Sequence, residues 1–203
     1  TVFVSYKINE KNRIALSYSK RINRPDYQSL NPFETIYDIY TSEKGNPFLK
    51  PQYTNNFEIK YTYRYALNVA VGYNHTKDYS QTISRQTGQL TSATVDNIGT
   101  LDNTYINISS PLPINKWWEG YLNITGFLNH YKGILPNGIL NEKTLGLNYY
   151  LQQNFKLGKG WSAQMSSWFN AGTKQAIFKT SALGSLDVAV KKNMLKDKAS
   201  VRL

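Results

Sequence analysis

The chain has 203 residues, of which 40% are hydrophobic, and its formal net charge is +11. No segment approaches the ~18 consecutive apolar residues that a membrane-spanning helix requires, so the sequence excludes a helical membrane protein. The absence of cysteine excludes disulfides, zinc–thiolate sites and thiol nucleophiles.

The basic residues are spread along the chain rather than clustered. A net charge of +11 is compatible with nucleic-acid binding. However, the sequence contains no compact group of Lys and Arg and no recognition helix, so we expect no nucleic-acid partner. The aromatic content of 14% is typical of β-strands and of the aromatic girdles of membrane barrels.

The first two predicted strands cover residues 2–8 and 13–22 and are joined by a tight turn. In the second strand Ile14, Leu16 and Tyr18 alternate with small or polar residues. Successive side chains of a strand point to opposite faces, so this period of two gives the strand one apolar and one polar face.

A long loop punctuated by prolines is predicted over residues 23–53. The clearest strand follows over residues 55–65, and a very short connection leads into the next strand, residues 67–76. The 55–65 strand has one apolar and one polar face: Phe57, Ile59, Tyr61, Tyr63 and Tyr65 against Glu58, Lys60, Thr62 and Arg64. The polar segment 78–103 is predicted to be a second long loop.

The second half of the chain continues the strand pattern. A short strand, residues 105–110, is predicted to end at Pro111 and Pro113, because proline cannot donate to a central ladder. The other predicted strands cover residues 121–131, 144–157, 161–171 and 186–191, and their connections cover residues 115–118, 133–141, 158–160, 174–181 and 193–197. The pattern therefore predicts nine or ten antiparallel strands.

Short and long connections alternate along the chain, which is typical of an outer-membrane β-barrel with periplasmic turns and extracellular loops. We therefore predict an all-β fold, an antiparallel up-and-down transmembrane β-barrel, of which this chain forms a part. On the 55–65 strand Lys60, Thr62 and Arg64 are expected to face the lumen.

Three tryptophans, Trp117, Trp118 and Trp161, flank predicted short turns. Two interpretations remain open for them. They form part of an aromatic girdle at the membrane interface, or they pack as hydrophobic plugs beside the turns.

Several ordered motifs carry a family resemblance. They are LSYSKRINRPDY at residues 16–27, LNPF at 30–33, GNPFLKP at 45–51, KWW at 116–118, YKG at 131–133, FKL at 155–157, KGWS at 159–162 and SLDVAVKK at 185–192. In this order they resemble the barrel region of TonB-dependent outer-membrane receptors of the Bacteroidetes type. The resemblance covers essentially the whole chain.

This resemblance implies more than the periodicity does. Family members are barrels of about 22 strands with a plug domain in the lumen, loops that capture a nutrient ligand, and a TonB complex that energises its passage. We therefore expect residues 1–203 to be a partial outer-membrane β-barrel domain without the plug domain and the final strands. The implied partners are outer-membrane lipid, the plug domain of the same polypeptide, the TonB complex through the missing part, and a surface lipoprotein.

The loop over residues 23–53 is the main candidate for ligand binding, since it mixes aromatic and hydrogen-bonding side chains. The candidate residues are Arg24, Asp26, Tyr27, Asn31, Phe33, Tyr37, Asp38 and Tyr40. The alternative, which we favour, is that they fold the loop against the barrel rim.

The two histidines, His75 and His130, have no carboxylate at useful spacing in the sequence. A metal site or a catalytic base requires converging groups, and no nucleophile elbow or phosphate-binding glycine loop is visible. We therefore expect no metal, no cofactor and no enzymatic activity.

The sequence favours the barrel portion of a TonB-dependent receptor that takes up a nutrient across the outer membrane. Two alternatives remain open: a soluble β-sandwich that binds glycans, and an outer-membrane barrel that serves adhesion or assembly without transport. A siderophore, a peptide, a glycan or cobalamin would each be compatible with the receptor.

Overall fold

The computed structural model describes residues 1–136, 138–176, 178–195 and 198–203, most of which lie in β-strands. The elements are β1 Val2–Lys7, β2 Asn12–Asn23, α1 Tyr27–Leu30, β3 Glu34–Ile36, β4 Thr41–Lys44, β5 Gln52–Tyr63, β6 Leu67–Thr87, β7 Leu90–Pro113, β8 Trp118–Leu135, β9 Gly138–Gly158, β10 Trp161–Asn170, β11 Lys174–Gln175, β12 Phe178–Lys179, β13 Leu183–Met194 and β14 Ala199–Arg202. Within the described part, no helix is long and apolar enough to cross a membrane.

Ten strands form one continuous path in the order β1-β2-β5-β6-β7-β8-β9-β10-β13-β14. Each neighbouring pair on this path is antiparallel. Apart from the short pieces β3, β4, β11 and β12, every strand pairs with the next strand of the chain. The predicted up-and-down arrangement of nine or ten antiparallel strands is therefore confirmed.

The register divides the sheet into an apolar and a polar face. In one row across the sheet Leu16, Ile59, Val71 and Ile106 lie side by side, and about half of each side chain is exposed. The next row, one residue along each strand, lies on the opposite face and contains Ser17, Glu58, Gly72 and Tyr105. This alternation is typical of a barrel wall with a lipid-facing exterior and a polar lumen.

The outward face carries aromatic side chains at its short-turn end. The rings of Trp117, Trp118 and Phe155 stack with centroids 5.8 to 6.3 Å apart. Trp161 lies on the same face, with the Lys192 ammonium 4.8 Å from its ring centroid. Trp117 and Trp161 are about half exposed, which favours the girdle interpretation for these two residues over enclosed plugs beside the turns.

Two predicted loops are instead strands. The segment 78–103 forms the outer halves of β6 and β7, which meet in a turn at Gly88, where φ is +63°. The segment 133–141 likewise belongs mostly to β8 and β9, with Asn137 outside the described residues. These hairpins extend beyond the apolar band, where water contacts the sheet, and so they lack the apolar alternation on which the prediction relied.

The short strand predicted to end at Pro111 in fact continues through Pro113 as part of β7. Pairing between β6 and β7 begins at Asn68 and Ser109, so both prolines lie beyond it. Here β7 pairs only with β8, and proline is tolerated because this edge requires no donor. The predicted connection 174–181 contains the short ladder between β11 and β12. Ile177 in this connection, and Lys196 and Asp197 in the predicted turn 193–197, lie outside the described residues.

A buried apolar cluster lies on the outer hairpins, beyond the lipid-facing band. It contains Ile83, Ile98, Tyr131, Leu140 and Ala176, with exposures of 1 to 5%. Tyr79 packs against this cluster, and burial raises the pKa of its hydroxyl to about 12. The hairpins are therefore tied together as one rigid rim above the barrel wall.

Cysteines introduced at Gln89 and Lys116 are expected to lie on opposite sides of the outer membrane. Gln89 is in the β6–β7 turn and Lys116 in the turn before β8, and the chain has no cysteine of its own. In the full-length protein we expect Gln89→Cys to react with an impermeant maleimide in intact cells, and Lys116→Cys only after permeabilisation. Equal labelling of the two sites in intact cells would contradict this orientation.

Adjacent positions on β2 should respond oppositely to a charge. Leu16→Lys places an ammonium on the apolar face, whereas Ser17→Lys places it on the polar face beside Glu58. We expect Leu16→Lys to cost ~2–4 kcal/mol near the bilayer midplane and Ser17→Lys to cost little. Urea unfolding of the full-length protein in lipid vesicles measures the difference, and equal costs would mean that this face does not contact lipid.

Candidate functional site

The loop between β2 and β5 is an ordered structure built on its own hydrogen bonds. Asp26 caps the single-turn helix α1: its Oδ1 accepts a bond of 2.7 Å from the Ser29 backbone N–H. This bond lowers the pKa of the Asp26 carboxyl. After the helix, Asn31 Oδ1 accepts from the Phe33 backbone N–H at 3.1 Å. Both side chains therefore shape the backbone of the loop.

Gly45 allows the two arms of this loop to touch. The backbone N–H of Asn46 donates to the Ser29 carbonyl oxygen at 2.7 Å. A Cβ placed on Gly45 would lie 2.5 Å from the carbonyl oxygen of Gln28 and would also clash with backbone atoms of Asn31. Only glycine fits this close approach of backbone to backbone.

The middle of the loop is a small hairpin of β3 and β4. At its turn Asp38 Oδ1 accepts from the Tyr40 backbone N–H at 2.7 Å. The Tyr37 hydroxyl donates to Glu43 Oε2 at 2.6 Å, and this hydrogen bond raises the pKa of the Tyr37 hydroxyl. The hairpin is thus held by side-chain bonds within the loop.

The loop is also attached to the rim. Strand β4 pairs in parallel with the outer part of β7, from Thr41 opposite Thr91 to Glu43 opposite Ala93. Farther along, the Lys50 backbone N–H donates to Asn97 Oδ1 at 2.8 Å, and Asn97 Nδ2 donates back to the Lys50 carbonyl oxygen at 3.1 Å. The loop is therefore bonded directly to β7 of the outer hairpins.

The eight candidate residues of this loop fall into two groups. Asp26, Asn31 and Asp38 use a side-chain oxygen to order the backbone, which agrees with the structural alternative. The aromatic members remain largely exposed, at 78% for Tyr27 and Phe33, 64% for Tyr37 and 49% for Tyr40, and Arg24 is also exposed. The loop is thus a polar framework that presents aromatic side chains.

A cavity of about 620 Å³ lies between this loop and the tip of the β6–β7 hairpin. Of the candidate residues, Asp38 and Tyr40 line it, together with Ile36, Arg85 and Leu90. Arg85 was not among the candidate residues, because residues 78–103 were predicted to be a long polar loop. The register places Arg85 opposite Ser92 on a paired strand.

The structure separates the three residues predicted to face the lumen. Lys60 lies on the polar face between Ala15 and Ala70. Thr62 lies on the same face, and its hydroxyl donates to Asn68 Oδ1 at 3.0 Å. The prediction for Arg64 is wrong, because β5 ends before it. Arg64 is a turn residue with φ of +48°.

The polar face carries a row of amides across adjacent strands. Asn56, Asn74, Asn103 and Asn129 lie opposite one another on β5 to β8. Asn74 Nδ2 donates to Asn103 Oδ1 at 3.0 Å, and Asn103 Nδ2 donates to Asn129 Oδ1 at 2.6 Å. Such neutral, mutually bonded amides line a polar surface without a fixed charge.

Two glycines on the polar face make room for aromatic rings. The Tyr105 ring covers Gly72, and the Phe127 ring covers Gly146, where a Cβ would collide with the ring atoms. The Tyr105 hydroxyl donates across Gly72 to Glu58 Oε2 at 2.5 Å. A ring that covers a neighbouring glycine protects the exposed backbone of the sheet.

The structure brings a carboxylate to His75, although the sequence shows none at useful spacing beside it. Asp102 is directly opposite on β7, and its Oδ1 is 2.6 Å from His75 Nδ1. Register brings the two together although they are far apart in sequence. Within the described residues, no group of three His, Cys, Asp or Glu is arranged to hold a metal.

Solved structures with a similar fold include siderophore receptors. The siderophore receptor PirA from Pseudomonas aeruginosa matches with a TM-score of 0.70 and 15% identity, over 98% of this chain and 36% of that one. A mutant of the ferric enterobactin receptor PfeA from Pseudomonas aeruginosa, in complex with enterobactin, matches with a TM-score of 0.63 and 12% identity, over 96% and 32%.

This chain therefore spans about a third of the length of these receptors. A comparison with curated proteins gives no match. The match to a protein family, by contrast, extends over residues 1–203. The chain belongs to the outer membrane protein beta-barrel family, and the outer membrane is its location.

Proposed function

We propose that this chain is part of the barrel wall of a TonB-dependent receptor that takes up a nutrient across the outer membrane. One observation carries the proposal. The polar face continues outward into a rigid rim, and the loop attached to this rim presents exposed aromatic side chains at the mouth. A barrel that captures a solute outside and passes it inward requires this combination.

In this proposal, capture begins at the loop. Tyr27, Phe33 and Tyr40 offer flat apolar surfaces, and Arg85 offers a cation at the adjoining cavity. Aromatic surfaces with a few polar groups are typical of small-molecule sites. The similar solved structures are siderophore receptors, which makes a ferric siderophore the first ligand to test.

Passage would follow the polar face of the wall. The amides of Asn74, Asn103 and Asn129 already bond one another, so they offer exchangeable hydrogen bonds without a charge that would hold a solute. The plug domain and the TonB contact belong, in this proposal, to parts of the polypeptide outside residues 1–203. A surface lipoprotein partner is a further element of the proposal.

The two alternatives differ in how the sheet is used. A glycan-binding sandwich would bury the apolar face against a second sheet, but here Leu16, Ile59 and Val71 remain about half exposed. An adhesion or assembly barrel shares the wall and differs in having no energised uptake. Transport measurements therefore separate the receptor from the scaffold.

The receptor proposal predicts energy-dependent uptake of a nutrient. A strain that lacks the full-length gene and one that carries it are compared for accumulation of labelled ferric enterobactin, cobalamin, an oligosaccharide and a peptide. We expect one of these compounds to accumulate only in the strain that carries the gene. A protonophore should abolish this accumulation, because a TonB system depends on the proton-motive force. Surface display of the protein without protonophore-sensitive uptake of any of them would favour the scaffold.

The order of the loop should matter for uptake. Gly45→Ala introduces a Cβ where backbone oxygens already lie in contact range, so we expect the loop to separate from α1 and uptake to fall by about tenfold or more, corresponding to ~1.4 kcal/mol or more. Thr35→Ala is the control, since Thr35 is an exposed residue on β3 of the same loop and its substitution leaves the contact between Gly45 and α1 unchanged. Equal uptake by both variants would show that capture does not depend on this loop.

A further inference from the structure

The outward face changes character where its apolar band ends toward the long loops. On β6 to β9 the last residues of the band are Tyr73, Thr104, Leu128 and Leu145. The next outward row contains His75, Asp102, His130 and Lys143, which lie side by side in the register. One row farther out, Lys77 and Lys132 face the same way. We define the basic patch as His75, Lys77, Asp102, His130, Lys132 and Lys143.

The basic patch carries excess positive charge. It contains three lysines and one carboxylate, which gives a formal charge of +2 with both histidines neutral. Asp102 Oδ1 lies 2.6 Å from His75 Nδ1, and Asp102 Oδ2 lies 3.6 Å from the Lys132 ammonium. Asp102 therefore organises its neighbours and leaves Lys77 and Lys143 exposed to solvent.

At this level of β6 to β8 the charged side chains lie on the outward face. On the same strands the residues adjacent in sequence, Asn74, Asn103 and Asn129, point into the lumen and are neutral. At the opposite end of the wall the outward face is aromatic, with Trp118, Phe155 and Trp161.

The patch adjoins a surface suited to acyl chains. A groove of about 470 Å³ on the outward face is lined mainly by apolar side chains, among them Leu16, Phe57, Ile59, Val71 and Tyr73. Tyr73 also donates a hydrogen bond of 2.7 Å to Asp102 Oδ1, so the groove and the patch are continuous. An occupant with anionic groups beside hydrocarbon chains would match both.

We propose that the basic patch binds the phosphorylated headgroup of a glycolipid in the outer leaflet. With long loops outside the cell, this end of the apolar band meets that leaflet. The patch spans four strands, which is about 14 Å across, comparable to a sugar headgroup that carries two phosphates. Ammonium groups at a membrane surface attract anionic headgroups. The proposal is independent of uptake, since the patch faces away from the lumen.

The test uses the full-length protein in detergent and lipid A, with and without its phosphates, as probes. The variant with Lys77→Gln, Lys132→Gln and Lys143→Gln removes the lysines of the patch. The control with Lys11→Gln, Lys116→Gln and Lys159→Gln removes the same charge at the short-turn end, where all three are exposed. Binding is followed by native mass spectrometry, and retention of the folded barrel by heat-modifiable electrophoresis.

We expect the wild type and the control to retain phosphorylated lipid A, and the patch variant to bind it on the order of a hundredfold more weakly. Lipid A without phosphates should bind the wild type as weakly as phosphorylated lipid A binds the patch variant. Inorganic phosphate should fail to compete, since it lacks the acyl chains that fill the groove. Equal binding by the patch variant, equal binding of dephosphorylated lipid A, or displacement by inorganic phosphate would each overturn the proposal.

A folding defect in the patch variant has its own check. The variant with Lys77→Arg, Lys132→Arg and Lys143→Arg keeps the charge, and we expect it to fold and to retain phosphorylated lipid A. In addition, raised salt should weaken binding by the wild type, because exposed charge pairs are screened. Salt-independent binding by the wild type would contradict a headgroup held by the lysines.

Discussion

The ladder of hydrogen bonds between neighbouring strands is the interaction on which the rest of this structure depends. In hydrocarbon every backbone N–H and C=O must be paired within the protein, and adjacent antiparallel strands achieve this without burying side chains in a core. The apolar residues are therefore free to face lipid, as Leu16 and Ile59 do. The buried cluster around Ile83 and Tyr131 lies instead on the outer hairpins, where water is the solvent.

The backbone ladder fixes the positions of the strands. The properties of the wall therefore depend on the side chains on the two faces of the sheet and at its two ends. The lumen side is lined by neutral amides and by rings that cover glycines. The outward side is apolar in the middle, aromatic at the short turns and basic toward the long loops. Such a wall has a polar face toward the lumen and an outward face whose two ends differ in chemistry.

The loop between β2 and β5 shows how a long connection becomes a positioned surface. Its carboxylates and amides, such as Asp26 and Asn31, satisfy backbone N–H groups, and Gly45 lets its arms touch. Pairing of β4 with β7 then joins the loop to the rim. The conformational entropy that the loop loses when it is ordered is thus offset by its local hydrogen bonds and by its pairing with the sheet. The aromatic side chains are not needed for this and stay available for contact.

By itself the sequence determined the strands that contact lipid and their two faces, because the bilayer requires an apolar residue at every second position of β2, β5 and β9. Which members of the loop order its backbone was decided by the structure, through the hydrogen bonds of Asp26, Asn31 and Asp38. Tertiary structure alone decided the extent of β6 and β7, whose outer halves meet water and need no apolar alternation. It placed Arg64 in a turn, and it brought His75 beside Asp102 and Arg85 to the loop, because strand register joins residues that no local pattern connects.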